Sequence, residues 1–328
     1  MTPGARAVLA RALGRRAALR EDGRTTAFRW LNGVADGTPG LTLDLFGDVG
    51  VLSTYDAQDP ASVADAAMAL LPLRAVYAKA RPREAGTLRG EERAARAPAL
   101  PIRGEPVETV EVREHGLTFR IRPGEGLAVG LYLDMREARG WVRSHARGRT
   151  LLNCFAYTGA FGIAARAGGA ARAVDVDLSR RSLAWAEENA RLNSQSPPAA
   201  DRIAGDVFDW LRRLAKRGER FDAVVLDPPG FARGKAGTFS ASRDWPALVA
   251  QAVPLVSPGG WLLAACNVAA LPPRRFEAAL AEGVRRSGRT AEEVARPEAS
   301  PVDFPVPRRE EPALKVRVLR LGVLTSRR

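Results

Sequence analysis

The chain has 328 residues, a formal net charge of +13, 46% hydrophobic residues and two cysteines, a length that carries one large core plus a smaller domain without covalent staples. Cys154 and Cys266 lie far apart and form no C-x-x-C pair, which fits neither a disulfide scaffold nor a metal site and points to a reducing, cytoplasmic compartment. No apolar stretch reaches membrane-span length, and the arginine-rich start lacks the apolar core and small-residue cleavage site of a secretory signal. The positive charge favours a polyanionic partner, nucleic acid first of all, because each phosphate neutralised releases counterions. Only four of the fifty basic residues are lysines (Lys79, Lys216, Lys235 and Lys315). Codon bias in a GC-rich genome would explain arginine over lysine, but not the excess over Asp and Glu.

In chain order, Ala7 to Arg20 has helical composition and ends near Glu21-Asp22-Gly23. Thr25 to Leu31, Leu41 to Phe46 and Val49 to Leu52 read as short strands joined by Gly and Asp turns. Pro60 to Leu71 returns to helical spacing, and Ala75 to Ala78 forms another strand. Arg81 to Arg103, rich in Arg, Pro, Gly and Glu, reads as an exposed loop. Val107 to Ile121 alternates as a hairpin turning near His115-Gly116. The expected organisation is an arginine-rich helix over 1–25, a small α+β accessory domain over 26–122 that binds RNA, and a larger α/β domain over 123–328.

From Thr150 onward, strand, glycine turn and helix repeat in the rhythm of a doubly wound, mostly parallel sheet. Leu151 to Phe155, Ala173 to Val176, Ala223 to Leu226 and Trp261 to Ala265 are the apolar strand runs, as strands covered on both faces must be. Ser179 is an N-cap for the helix bearing Leu183, Ala186 and Ala190. Leu314 to Val323 alternates apolar and basic residues as a last strand.

Ligands of such sheets bind beyond the carboxyl ends of the strands. After the first strand, Phe155-Ala156-Tyr157-Thr158-Gly159 makes a tight turn in which Gly159 lets the backbone approach a ligand, and the next helix offers free N–H donors to a carboxylate. Asp177, followed by Leu178, stands at the second strand tip, where an acid accepts hydrogen bonds from ribose hydroxyls; Asp175 is the lesser choice, and a helix-capping acid the plain alternative. Asp206, between Gly205 and Val207, follows the third strand and would hold an adenine amino group or simply cap a helix. The most specific element is Asp227-Pro228-Pro229-Gly230-Phe231. Two prolines after a strand-tip acid give a rigid turn without N–H groups, whose carbonyls accept from a substrate base, and Phe231 stacks on a flipped base.

With these residues the chain resembles the bacterial large-subunit ribosomal RNA cytosine-5 methyltransferases and their guanine-modifying relatives, from about Ala27 to Leu321. The resemblance is carried by Phe28-Arg29-Trp30-Leu31-Asn32-Gly33 through Asp36-Gly37-Thr38-Pro39-Gly40-Leu41, by Gly130-Leu131-Tyr132-Leu133-Asp134-Met135-Arg136 through Arg139, and by Leu152-Asn153-Cys154-Phe155-Ala156-Tyr157-Thr158-Gly159. It closes on Asp227-Pro228-Pro229-Gly230-Phe231, Asp303-Phe304-Pro305-Val306 and Leu314-Lys315. It implies a class I methyltransferase fold, Rossmann-like, with a smaller N-terminal α+β domain, and S-adenosyl-L-methionine as cofactor. It also implies that the Tyr157-Thr158-Gly159 turn, Asp177 and Gly205-Asp206 hold that cofactor, while Tyr132, Asp134 and Arg136 close over it.

Two departures from the family pattern matter. Family members begin with an RNA-binding PUA domain, whereas only the arginine-rich helix precedes the central domain here, so recognition is expected to rest on that domain, the basic surface or a partner. The cytosine-5 enzymes carry a nucleophilic Cys in Ser-Cys-Ser, whereas this chain reads Ala265-Cys266-Asn267-Val268. Counting from Gly259-Gly260, Asn267 falls on the nucleophile position and Cys266 one residue early, and one residue along a strand reverses the side chain. The guanine-modifying relatives carry Asn there and need no nucleophile. Overall resemblance puts cytosine C5 slightly ahead, with Cys266 as nucleophile, Asp227 with Pro228 and Pro229 positioning the base, and Asn267 beside it. The rivals are methylation of a guanine nitrogen in ribosomal RNA and, from another class, a non-catalytic RNA-binding assembly protein. No membrane or metal partner is expected, and the oligomeric state stays open, a homodimer included.

Overall fold

The computed structural model describes residues 4–55, 59–81, 90–234, 237–307 and 310–322. They form two compact units, Met1–Arg136 with Ser300–Glu310, and Glu137–Ala299 with Glu311–Arg328.

The first unit opens with helix α1 (Ala5–Arg15), which buries Val8, Leu9 and Ala12 on one stripe. The helical run expected over 7–20 breaks at Arg16, and α2 (Ala17–Glu21) follows. The break has a cause: the fully buried Arg16 guanidinium donates to the Asp36 carboxylate at 3.0 and 2.7 Å. Strands β1 (Ala27–Asn32), β2 (Leu41–Phe46) and β3 (Val49–Thr54) run antiparallel. Helix α3 (Ala61–Leu70) crosses over to the parallel strand β4 (Ala75–Ala80). The run over Arg81 to Arg103, expected as a loop, contains helix α4 (Gly90–Arg96), which seats the buried Ala97; its residues 82–89 lie outside the described residues. Composition hid the helix because its apolar content is only alanine. Strand β5 (Arg103–Gly104) completes the sheet in the order β1-β2-β3-β4-β5.

Strands β6 (Val110–Glu114) and β7 (Leu117–Ile121) form the expected hairpin. His115 and Gly116 both have positive φ, 49° and 79°, as a tight turn matched to strand twist requires. Trp30, Leu43, Leu52 and Val76 pack with the apolar faces of α1 and α3 in the core. The 300–310 segment is pinned by Asp303, whose buried carboxylate takes both Arg136 nitrogens at 2.9 and 2.7 Å and the Arg29 N–H at 3.2 Å.

The second unit enters through α5 (Arg136–His145) and continues as β8 (Thr150–Cys154), α6 (Ala160–Ala167), β9 (Arg172–Asp177), α7 (Arg180–Leu192), β10 (Arg202–Ala204), α8 (Val207–Lys216) and β11 (Phe221–Leu226). A small hairpin, β12 (Phe231–Gly234) and β13 (Gly237–Ser240), precedes α9 (Trp245–Ala252), β14 (Val256–Cys266), α10 (Pro273–Arg286), β15 (Ala291–Ala295) and β16 (Lys315–Leu321). Val323, at the end of the expected last strand, lies outside the described residues.

The seven-stranded sheet has the order β10-β9-β8-β11-β14-β16-β15. Strands from β10 to β14 are parallel, β16 runs antiparallel to β14, and the edge strand β15 runs antiparallel to β16. The chain steps outward from β8 to β10 and then returns to β11 on the other side of β8, so the switch point lies beyond the tips of β8 and β11. Helices α8, α9 and α10 cover the face bearing Leu152, Cys154, Val224, Leu226, Leu262, Ala264 and Cys266. Gly283 lets α10 meet α9 closely, since a Cβ there would lie 2.5 Å from that of Val249. Helix α6 lies on the opposite face, over Asp175.

Candidate functional site

The turn after β8 is built from strained backbone. Phe155 and Tyr157 have φ of 60° and 48°, left-handed values that residues with side chains rarely adopt, and Gly159 follows at 75°. Each such non-glycine residue costs roughly 1–3 kcal/mol and persists only where its surroundings over-determine it. Here Asp177 does so. Its carboxylate accepts the Tyr157 and Ser179 N–H groups, both at 2.8 Å. Burial pushes the Asp177 carboxyl above the usual range, opposed by those two bonds. Gly159 is the only residue type that fits, because a Cβ there would lie 2.7 Å from that of Ala186 on α7. The Asn189 amide donates to the Thr158 carbonyl at 3.2 Å, tying the turn to the same helix.

Asp175 has a different task. It is fully buried, accepts from the Asn153 amide at 2.7 Å and lies 3.4 Å from the Arg166 guanidinium. A Cβ on Gly162 would approach its carboxylate to 2.5 Å, so α6 packs directly on it. That leaves Asp177 as the acid at the tip of β9, followed by Leu178, which is 63% exposed. The sequence reading assigned no role to Asn153; an amide inside an otherwise apolar strand was its signal.

Asp206 caps α8, accepting the Asp209 N–H at 3.2 Å. Gly205 donates to the Asp177 carbonyl at 2.9 Å, Val207 is buried, and the Phe208 ring meets the Phe155 ring edge-on. These contacts bring the tips of β8, β9 and β10 together. Tyr132, Asp134 and Arg136 belong to the first unit, where Tyr132 is 44% exposed and Arg136 is buried against Asp303.

At the next tips, Asp227-Pro228-Pro229-Gly230 leads from β11 to Phe231, which is 41% exposed. The Gly230 carbonyl accepts from Ala241 N–H at 3.0 Å, closing the small hairpin. Cys266 ends β14 and is 2% exposed, in the core cluster with Leu226, Ala264, Trp245 and Phe276. Burial pushes its thiol up; the Val268 backbone N–H, Lys315 and the Trp245 indole oppose that, and Asp227 adds to it. Asn267, the next residue, is exposed. Cys154 lies in the same core with its thiol raised by burial alone. Among the described residues no cluster of metal-ligating side chains occurs, and no helix is long and apolar enough to cross a membrane.

Residues 41–319 match the family described as S-adenosylmethionine-dependent methyltransferase. The chain belongs to that family. Among its relatives is the Bacillus subtilis (strain 168) protein YwbD, named as a ribosomal RNA large subunit methyltransferase, 34% identical over 275 residues, which cover 82% of this chain and 68% of YwbD. Ribosomal RNA large subunit methyltransferase I of Cronobacter sakazakii (strain ATCC BAA-894) is 34% identical over 268 residues, 80% of this chain and 66% of that protein. The chain thus spans about two thirds of the length of these relatives. The crystal structure of the methyltransferase SMU.776 complexed with SAH superposes with a TM-score of 0.87 at 26% identity, covering 98% of this chain and 82% of that one. The methyltransferase therefore has the expected class I α/β fold with a smaller N-terminal unit, and it uses S-adenosylmethionine. The residues present fit that cofactor: a left-handed turn with room only for glycine at Gly159, beside a partly buried strand-tip acid at Asp177.

Proposed function

We propose that the protein transfers the methyl group of S-adenosylmethionine to a base of large-subunit ribosomal RNA, and that the acceptor is a guanine nitrogen rather than cytosine C5. The substrate class is supported by the names of the relatives together with the net charge of +13. The observation that carries the acceptor is the position of Cys266. Methylating cytosine C5 needs a thiolate to add at C6, and a deeply buried thiol whose pKa is raised presents little thiolate to a base. Cys266 has that environment, and its neighbour Asn267 is the exposed residue.

S-adenosylmethionine supplies a methyl group on a positively charged sulfur. The chain's own residues do the rest by orientation. Asp177 accepts from the ribose hydroxyls, Leu178 offers an apolar surface to the adenine, and Gly205-Asp206-Val207 bound its far side. The 155–159 turn carries the aminoacid end. Phe231 stacks on the target base, Asn267 hydrogen-bonds to its edge, and Asp227 with the Pro228 and Pro229 carbonyls accepts from base N–H groups. The nitrogen lone pair forms the new N–C bond as the S–C bond breaks. If the nitrogen carries hydrogen, as the ring N1 and the exocyclic amine do, Asp227 takes its proton; N7 carries none, and its methylation leaves the positive charge on the ring.

Cys266→Ala with total ribosomal RNA and labelled cofactor tests the choice. Retained transfer by the variant is expected, and no covalent adduct of the wild type on 5-fluorocytosine-substituted RNA. An adduct through Cys266 would establish cytosine C5, and the absence of any transfer by the wild type would favour a non-catalytic RNA-binding protein.

A further inference from the structure

Lys315 is 1% exposed at the start of β16, paired in register with Cys266. Cross-strand partners project to the same face of a sheet, so its side chain leaves on the side covered by α8, α9 and α10. Its ammonium donates to the Val268 carbonyl at 2.7 Å. That carbonyl also accepts the Leu271 N–H at 3.1 Å. The other side of Val268 meets the Pro-Pro-Gly turn: a Cβ on Gly230 would lie 3.0 Å from the Val268 side chain. One charge-assisted bond therefore anchors the turn that carries Asn267, and that turn in turn backs the segment Asp227 to Phe231.

A buried ammonium is costly to keep for packing alone, since a Met of similar volume would fill the space without desolvating a charge. We propose that Lys315 is a positioning residue for the target base, fixing Asn267 and the Asp227-Pro228-Pro229-Gly230 turn in the arrangement that aligns the acceptor nitrogen. This rests on the function proposed above. Burial holds the Lys315 pKa below the usual lysine value; Cys266, Glu311 and Glu298 oppose that shift, and Arg317 adds to it. Asp227 acts on the neighbouring Cys266.

The ammonium-to-carbonyl bond is strongest while Lys315 is charged, so kcat should fall on an alkaline limb lying below the ordinary lysine range. Lys315→Met should lower kcat about ten- to a hundredfold, the scale of a misaligned reactant, with S-adenosylmethionine affinity and the KM for RNA little changed. It should lose the alkaline limb. Lys315→Arg should restore part of kcat and move the limb to higher pH. Hydrogen exchange in the cofactor-bound protein should speed up at residues 267–271 in Lys315→Met. A Lys315→Met variant with wild-type kcat and pH profile would overturn the proposal, as would a wild type without the limb. If the wild type transfers no methyl group to RNA, the function reading fails by itself, and unchanged exchange at 267–271 would still overturn the anchor.

Discussion

Asp177→Ala removes the group that both restrains the cofactor turn and meets the ribose. In the free protein the carboxylate satisfies the half-buried Tyr157 N–H at 2.8 Å, and leaving such a donor unpaired costs about 1–3 kcal/mol of stability. Tyr157 sits at a φ of 48°, so it should also relax out of the left-handed region once the restraint is gone. Bonds from ribose hydroxyls to a carboxylate contribute about 1.5–3 kcal/mol, which at about 1.4 kcal/mol per decade is a ten- to more than hundredfold rise in Kd. Isothermal titration with S-adenosylmethionine reads it. Asp177→Asn, which keeps one acceptor oxygen, should fall between the variant and the wild type. Because burial raises the Asp177 pKa, the carboxylate takes up its proton above the ordinary carboxylate range. Affinity should be full above that raised value and fall as the pH drops through it, and the fall should be absent in Asp177→Asn. A folded Asp177→Ala protein with the wild-type Kd would refute the assignment.

Gly159→Ala combines a φ of +75° with a Cβ 2.7 Å from that of Ala186. Left-handed strain of about 1–2 kcal/mol and overpacking of about 1–3 kcal/mol should lower the urea midpoint and weaken cofactor binding together. Asp303→Ala leaves the buried Arg136 guanidinium without its carboxylate, a change that costs about 3–5 kcal/mol; thermal denaturation should show the first unit melting earlier, and an unchanged Tm would contradict the pairing. RNA affinity should fall steeply between 50 and 200 mM salt, as expected for contacts dominated by phosphates; a flat series would point away from nucleic acid.

The parallel sheet was legible because β8, β9, β11 and β14 are short, predominantly apolar runs separated by glycine turns and helical spacing, as buried parallel strands are. The strand-tip acids and the Asp-Pro-Pro-Gly turn followed, since topology puts strand ends at the switch point. Other features needed coordinates. Asp175 and Asp177 are two residues apart on one strand, and only the contacts of Gly162 and Asn153 with Asp175 separate the structural acid from the partly buried one at the strand tip. The break at Arg16 depends on Asp36, twenty residues away in sequence, and helix propensity carries no trace of it. Register alone left Cys266 undecided between strand face and irregular end; its burial in the cluster that holds Trp245 and Leu226 places it in the core. Lys315 stands in the sequence as part of the Leu314-Lys315 motif without a role of its own, and its bond to the Val268 carbonyl is visible only in the fold.

Nucleoside mass spectrometry of large-subunit ribosomal RNA, taken from cells lacking the protein and treated with the purified enzyme and S-adenosylmethionine, tests the proposed chemistry most directly. The expected result is a gain of one methylated guanosine, undiminished when Cys266→Ala replaces the wild type. A gain of 5-methylcytidine that Cys266→Ala abolishes would contradict it.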